Sequence, residues 1–87
     1  MKYTKELERQ GYVIEFEKDN SDKEGYDLFL KVSKDDDYYE MIYSLSHSAG
    51  FYFSFDFTDS FGEGEIWDFD NNKLVCEYLG VDQLKEI

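Results

Sequence analysis

The stretch YDLFLKVSKDDDYYEMIYSLS, residues 26–46, decides the fold, because two runs of alternating apolar and polar residues flank three aspartates. A period of two is typical of a β-strand with one buried and one solvated face. The aspartates, Asp35–Asp37, predict the loop between two antiparallel strands. The positions predicted to face the core are Leu28, Leu30, Val32, Tyr39, Met41, Tyr43 and Leu45.

Two further runs extend this alternation on either side. Before it, YVIEFEK at residues 12–18 predicts a half-buried strand. After it, FYFSFDFTD at residues 51–59 predicts another. Turn sequences at residues 19–25 and 48–50 separate the runs, so four consecutive antiparallel strands are the simplest arrangement. The inward positions of these outer strands are predicted to be Tyr12, Ile14, Phe16, Phe51, Phe53, Phe55 and Phe57.

The N-terminal residues predict a short helix. Thr4 can cap it, Gln10 is its last residue and Gly11 stops it. A helix of six or seven residues is marginal alone, so we expect it to dock on another part of the protein.

Residues 65–79 fit two structures. One is a last hairpin that turns at residues 71–72, where two asparagines tolerate the left-handed conformation. The other is a helix that Asn72 caps and Gly80 ends. We favour the hairpin, because residues such as Val75 are mediocre helix formers.

The whole pattern predicts a single α+β domain over residues 1–87. It comprises a short N-terminal helix, an antiparallel sheet of four to six strands and, as an option, a short C-terminal helix within residues 81–87. A chain this small buries a modest share of its surface. Its seventeen aromatic residues offset part of that handicap, because each buries a large area.

Charge is concentrated in the middle of the chain. Residues 35–72 hold ten carboxylates and no lysine or arginine, so they carry −10 of the net charge of −12. The same segment holds eleven of the seventeen aromatic residues. Such an acidic chain repels nucleic acid and anionic lipid, so neither is an expected ligand. Charge this segregated favours a basic protein partner.

Catalysis and metal binding are poorly supported. The chain has one histidine, His47, and one cysteine, Cys76, which excludes most nucleophilic and zinc-dependent arrangements. We expect His47 to be a turn residue and Cys76 a small core residue. Asp68, Asp70 and Asn72 match the opening of an EF-hand loop, but Lys73 replaces its obligatory glycine. We therefore predict a non-enzymatic protein without a metal or other cofactor.

Mimicry of nucleic acid accounts for the acidic segment. Alternate residues of a strand lie about 6.6 Å apart and neighbouring strands about 4.8 Å apart. Each strand of DNA carries one charge per about 3.4 Å of helix axis, a spacing of the same order. Exposed tyrosine or tryptophan would add binding anchors. The predicted partner-binding residues are Asp35, Asp36, Asp37, Glu40, Asp56, Asp59, Glu63, Glu65, Asp68 and Asp70, with Tyr38, Tyr52 and Trp67.

Solubility alone is the competing explanation, since many cytoplasmic proteins are acidic without a partner. The clustering of charge and aromatic residues in one segment argues against it. No apolar run approaches the roughly 18–20 residues of a membrane span, and the first residues lack an apolar signal core. With a lone cysteine, these features predict a cytoplasmic protein.

A strongly acidic, aromatic-rich α+β chain of this length resembles the small phage proteins that block host defence. These include anti-CRISPR proteins and anti-restriction DNA mimics, and the resemblance covers composition and element order. It implies an inhibitor that occupies the nucleic-acid site of a basic effector, most concretely a CRISPR-Cas nuclease complex, in the host cytoplasm if the chain is phage-encoded. The alternative is an immunity protein or antitoxin that neutralises a basic toxin, or an acidic small domain of another role.

Overall fold

A computed structural model describes residues 2–19, 25–46, 53–61 and 68–86, and the side chains of Ser46, of residues 53–61 and of residues 85–86 lie outside that description. Two helices and five strands follow one another along the chain. They are α1 (Lys2–Arg9), β1 (Val13–Asp19), β2 (Gly25–Lys34), β3 (Asp37–Ser46), β4 (Phe53–Phe61), α2 (Asn71–Leu79) and β5 (Lys85–Glu86).

The strands form one sheet in the order β1-β2-β3-β4-β5. β1, β2 and β3 are its fully described antiparallel part, with Phe16 opposite Leu30 and Leu30 opposite Met41. The backbone of β4 continues the antiparallel meander, and the two-residue β5 pairs with β4 in parallel. The predicted α+β order of helix, antiparallel sheet and helix is confirmed. The prediction of four to six antiparallel strands is not confirmed. Only β1, β2 and β3 are fully described as antiparallel strands, and β5 pairs in parallel.

Both helices pack on the same face of the sheet. Leu7 of α1 and Leu74 and Val75 of α2 are almost completely buried against it. Burial of such side chains contributes roughly 1.5–3 kcal/mol each. The buried residues of the sheet and its entry are Tyr12, Tyr26, Leu28, Leu30, Val32, Met41, Tyr43 and Leu45.

The predicted faces of the first three strands are confirmed. All the positions predicted to face the core on β2 and β3 are buried or pack against it, and so are Tyr12, Ile14 and Phe16 at β1. On β1, Val13 and Glu15 of the opposite face are exposed. The prediction that the phenylalanines of residues 51–57 face inward falls on side chains that the structure does not describe. The backbone register sets Phe55 opposite Ser44 and Phe57 opposite Ile42.

Helix α1 differs from its prediction at its start. It begins at Lys2, so Thr4 lies inside the helix and is buried instead of capping it. The cap comes from the other helix. Glu77 of α2 accepts hydrogen bonds from the backbone N–H of Tyr3 at 2.9 and 3.0 Å and from that of Thr4 at 3.3 Å. Gly11, with a φ of 99°, stops the helix segment as predicted.

Residues 71–79 form a helix, so the favoured hairpin is wrong. Asp70, not Asn72, is its N-cap, and the carboxylate of Asp70 accepts from the N–H of Lys73 at 3.1 Å. Gly80 ends the helix with a φ of 75°, as the helical alternative expected. Burial of Leu74 and Val75 outweighs their weak local preference.

The end of the chain also differs from expectation. The option of a C-terminal helix within residues 81–87 is wrong, because Lys85 and Glu86 form β5 beside β4. Tertiary pairing with β4 overrides the weak local helix preference of this segment. The turn predicted at residues 48–50, with His47 before it, lies outside the described residues.

Candidate partner-binding surface

The turn between β2 and β3 presents the first group of predicted carboxylates. Asp35 has a φ of 54°, a left-handed conformation that aspartate adopts more readily than most residues. Asp35 and Asp36 are exposed, while Asp37 is half-buried where β3 begins opposite Lys34. The tight turn therefore holds three neighbouring carboxylates at one end of the sheet.

The entry to α2 brings a second group to the same end. The ring of Phe69 packs edge-on against Tyr12 and Tyr39, with centroids 5.7 and 5.6 Å apart. Tyr39 is two residues from Asp37, so these contacts hold Asp68 near the β2–β3 turn. Asp68 is exposed. We call Asp35, Asp36, Asp37 and Asp68 the acidic end. Asp70, also predicted to bind the partner, caps α2 and faces the cleft beside Asp82 instead.

Glu40 lies farther along β3. Its carboxylate accepts a hydrogen bond from the hydroxyl of Tyr38, and both side chains are half-buried. In the backbone register Glu40 is opposite Asp59, so two predicted residues are neighbours across β3 and β4. Asp56 is instead opposite Tyr43, about 20 Å along the strand from Asp37. The structure thus places Asp56 apart from the acidic end.

Four predicted residues, Tyr52, Glu63, Glu65 and Trp67, lie outside the described residues. The described residues on either side of 62–67 can be placed. Phe61 is opposite Tyr38 in the register, and Asp68 acts on Tyr12 through its charge. Both flanks of that segment are therefore at the acidic end.

Three of the described lysines lie over aromatic rings. The ammonium of Lys34 is 4.6 Å from the ring centre of Tyr12, and that of Lys73 is 4.4 Å from Tyr3. Lys18 sits in the same way over the ring of Tyr26. Such contacts are attractive because the ring face is electronegative. Within the described ranges, the carboxylates of the acidic end form no ion pair.

One ion pair joins two described residues elsewhere on the sheet. Lys31 of β2 and Glu17 of β1 are 2.8 Å apart. The hydrogen bond and the charge of Glu17 raise the pKa of Lys31, so this lysine stays protonated. At the acidic end, burial and then the charge of Asp68 raise the pKa of the Tyr12 phenol. The phenol is therefore neutral at physiological pH, and adds no charge to the surface.

Cys76 lines an open cleft of about 350 Å³ beside α2 and is half-buried there. Burial, with the charges of Asp70 and Asp82, raises the pKa of its thiol. A raised pKa leaves less thiolate, so the thiol is a weak nucleophile. The cleft is also lined by Asp70, Asn72, Lys73, Asp82, Gln83 and Leu84.

The residues that resemble an EF-hand have structural roles at α2. Asp70 caps the helix, and the side-chain oxygen of Asn72 accepts from the hydroxyl of Tyr43 at 2.6 Å. Across the described ranges, no three histidine, cysteine, aspartate or glutamate side chains cluster as metal ligands would. The EF-hand-like spacing of Asp68, Asp70 and Asn72 therefore reflects the capping and packing of α2 where the helix begins.

Two features of this surface were missed at the sequence level. Phe69 joins the α2 entry to the sheet, and Glu77 ties α2 to α1, yet each contact partner is far away in sequence. The aromatic residue between Asp68 and Asp70 was a signal, because an apolar side chain between two acids favours one buried position.

No protein-family model, curated protein or solved structure matches this chain. In the part of the chain that the structure describes, neither helix has the length and apolar character needed to cross a membrane. The likeness to phage anti-defence proteins stays a prediction.

Proposed function

We propose that this protein is a non-enzymatic inhibitor that mimics nucleic acid and blocks a basic nucleic-acid-binding effector, most concretely a CRISPR-Cas nuclease complex. One observation carries the proposal. The contacts of Phe69 bring Asp68 to the end of the sheet where the Asp35–Asp37 turn lies, and none of these four carboxylates is in an ion pair among the described residues.

A row of unneutralised carboxylates matches what a phosphate-binding groove accepts. Each carboxylate can receive charge-assisted hydrogen bonds from lysine or arginine, as a phosphate does. Lys34 and Lys73 lie over aromatic rings, and neither forms an ion pair with these carboxylates among the described residues. The charge steers a basic partner at long range and speeds association at low salt.

The mode of action is occupancy. A Cas nuclease reads its PAM and holds its heteroduplex with basic side chains, which are targets of the right sign and spacing. The inhibitor performs no reaction and binds no nucleic acid itself, because like charges repel. We place its action in the cytoplasm, where such effectors meet their nucleic acid.

A competition assay tests the proposal. A labelled PAM-containing duplex is bound to a guide-loaded Cas nuclease, and its fluorescence anisotropy is followed as this protein is added. We expect the duplex to be displaced, and the displacement to weaken steeply between about 0.05 and 0.2 M salt. Undiminished duplex binding at saturating protein contradicts the Cas assignment, and displacement of nucleic acid from a basic toxin nuclease instead reassigns the partner.

A charge-reversed variant tests the surface. The triple variant D35N/D36K/D68K keeps the Asp70 cap, and asparagine at residue 35 tolerates the positive φ. Its matched control, E6K/E8K/D82N, changes the net charge by the same amount at exposed positions elsewhere. We expect the triple variant to lose displacement and the control to retain most of it. Equal losses in both would mean that net charge acts without a defined surface.

A further inference from the structure

β1 is an edge of the sheet. It pairs with β2 along seven residues, and no other described strand pairs with it. Among the described residues, the backbone hydrogen bonds outside the helices and the sheet ladder do not involve residues 13–18. An edge strand of this length presents a row of N–H and C=O groups to which another strand can add.

The largest exposed apolar side chains of the described residues flank this edge. Val13 of β1 is 55% exposed and Tyr78 of α2 is 39% exposed. Tyr78 stacks on Phe16 of β1, with ring centres 4.3 Å apart and planes 15° from parallel. Exposed apolar surface therefore lies on both faces of β1, Val13 on the outer face and the stacked pair on the helix face.

The charges of β1 decide what can pair with it. Glu15 and Glu17 are exposed on the outer face of β1. Lys31 of β2 is the register partner of Glu15 but forms its ion pair with Glu17. A second copy of β1, paired antiparallel about Phe16, would set Glu15 opposite Glu17. Like charges directly opposite are destabilising, so a second copy is a poor occupant.

We propose that β1 receives an extended segment of a partner protein in which basic and apolar residues alternate. The added strand pairs its backbone with the free edge of β1. Its lysines or arginines lie beside Glu15 and Glu17, and its apolar residues lie beside Phe16 and Tyr78. This goes beyond mimicry of nucleic acid, because it uses another surface and recognises a protein backbone.

An NMR titration tests the edge. The probe is a synthetic peptide as long as β1 in which lysine and valine alternate. We expect it to shift the amide signals of residues 13–18 and to protect some of them from hydrogen exchange. A peptide of the same composition with its lysines in one block is the control, and equal shifts from both peptides would overturn the proposal. So would no shift with the alternating peptide, or shifts confined to the Asp35–Asp37 turn.

Methylated peptides test backbone pairing directly. Methyl groups on alternate backbone nitrogens block one edge of the peptide, and the complementary set blocks the other edge. We expect one set to abolish the β1 shifts and the other to leave them, because a single edge of the added strand faces β1. Equal binding of both sets would show that the backbone is not recognised.

Protein variants test the charge pairing. Glu15→Gln removes the charge without setting two lysines opposite each other at Lys31, and we expect it to weaken binding of the lysine peptide by roughly threefold. The matched control is Asp82→Asn, three residues before β5 at the opposite edge, with wild-type affinity expected. Equal weakening by both substitutions would show that only the net charge of the protein matters. A dimer of the wild-type chain in sedimentation would show that a second copy, and not a partner segment, pairs with β1.

Discussion

At the scale of single residues, Thr4 carries a buried hydroxyl. Its oxygen is inaccessible to solvent and has no hydrogen-bond partner among the described residues. A buried hydroxyl that loses its water and gains no partner costs about 1–3 kcal/mol. The residue that looked like a helix cap is therefore a source of instability, since Glu77 has taken over the cap.

Replacing Thr4 with valine should stabilise the protein. Thr4→Val keeps the shape and the β-branch and removes the unpaired hydroxyl, so we expect the free energy of unfolding in urea to rise by about 1 kcal/mol. Thr4→Ser is the control, because it keeps the hydroxyl and removes a methyl group, with a loss of about 1 kcal/mol. A valine variant less stable than the wild type would show that the hydroxyl is satisfied in solution.

At the scale of elements, α1 and α2 are joined by polar contacts as well as by packing. Glu77 accepts from the first N–H groups of α1, and the hydroxyl of Tyr3 accepts from the N–H of Asp70 at 2.8 Å. Each contact satisfies a backbone donor at the start of a helix. The negative charge of Glu77 also favours the positive end of α1. Each helix thus completes the N-terminus of the other.

Removal of Glu77 should loosen α1 specifically. We expect Glu77→Ala to lower the free energy of unfolding by about 1–2 kcal/mol, because the donors of Tyr3 and Thr4 lose their partner. Hydrogen exchange at the amides of Tyr3 and Thr4 should accelerate more than exchange in β2. Glu8→Ala, at an exposed position of α1, is the control and should change little. Unchanged exchange in the Glu77 variant would contradict the cap.

The elements differ in how far the sequence predicts them. The faces of β2 and β3 were predicted correctly because the alternation of apolar and polar residues is local. The burial of Leu30 and Met41 can therefore be predicted from their immediate neighbours in sequence. Helix α2 was only the less favoured alternative to a hairpin, because its stability comes from Leu74 and Val75 against a distant sheet. The Asp35–Asp37 turn was predicted as a loop, but its proximity to Asp68 depends on where Phe69 packs, and spacing along the chain carries no information on that.

At the scale of the whole molecule, stability and charge oppose each other. The chain holds 21 acidic and nine basic residues, and the described part pairs few of them. Self-repulsion of this kind raises the free energy of the compact state. The sheet and its aromatic contacts have to outweigh that cost.

Salt should therefore stabilise the protein. Raising the salt from about 0.01 to about 0.1 M shortens the screening length from about 30 to about 10 Å. We expect the free energy of unfolding to increase by about 1 kcal/mol, or the Tm by about 4–8 °C in a calorimeter. The D36K/D68K variant should respond less, because it carries less charge to screen. A Tm that falls with salt would mean that attractive charge pairs dominate.

The long-range cap of α1 has a consequence for synthesis. Residues 2–9 leave the ribosome long before residue 77, whose carboxylate caps the helix that they form. An isolated helix of eight residues is unstable in water, so α1 has no lasting structure while the nascent chain is short. The protein therefore completes its fold as a late, nearly all-at-once event, and a chain that stalls before α2 exposes the sheet face that both helices later cover.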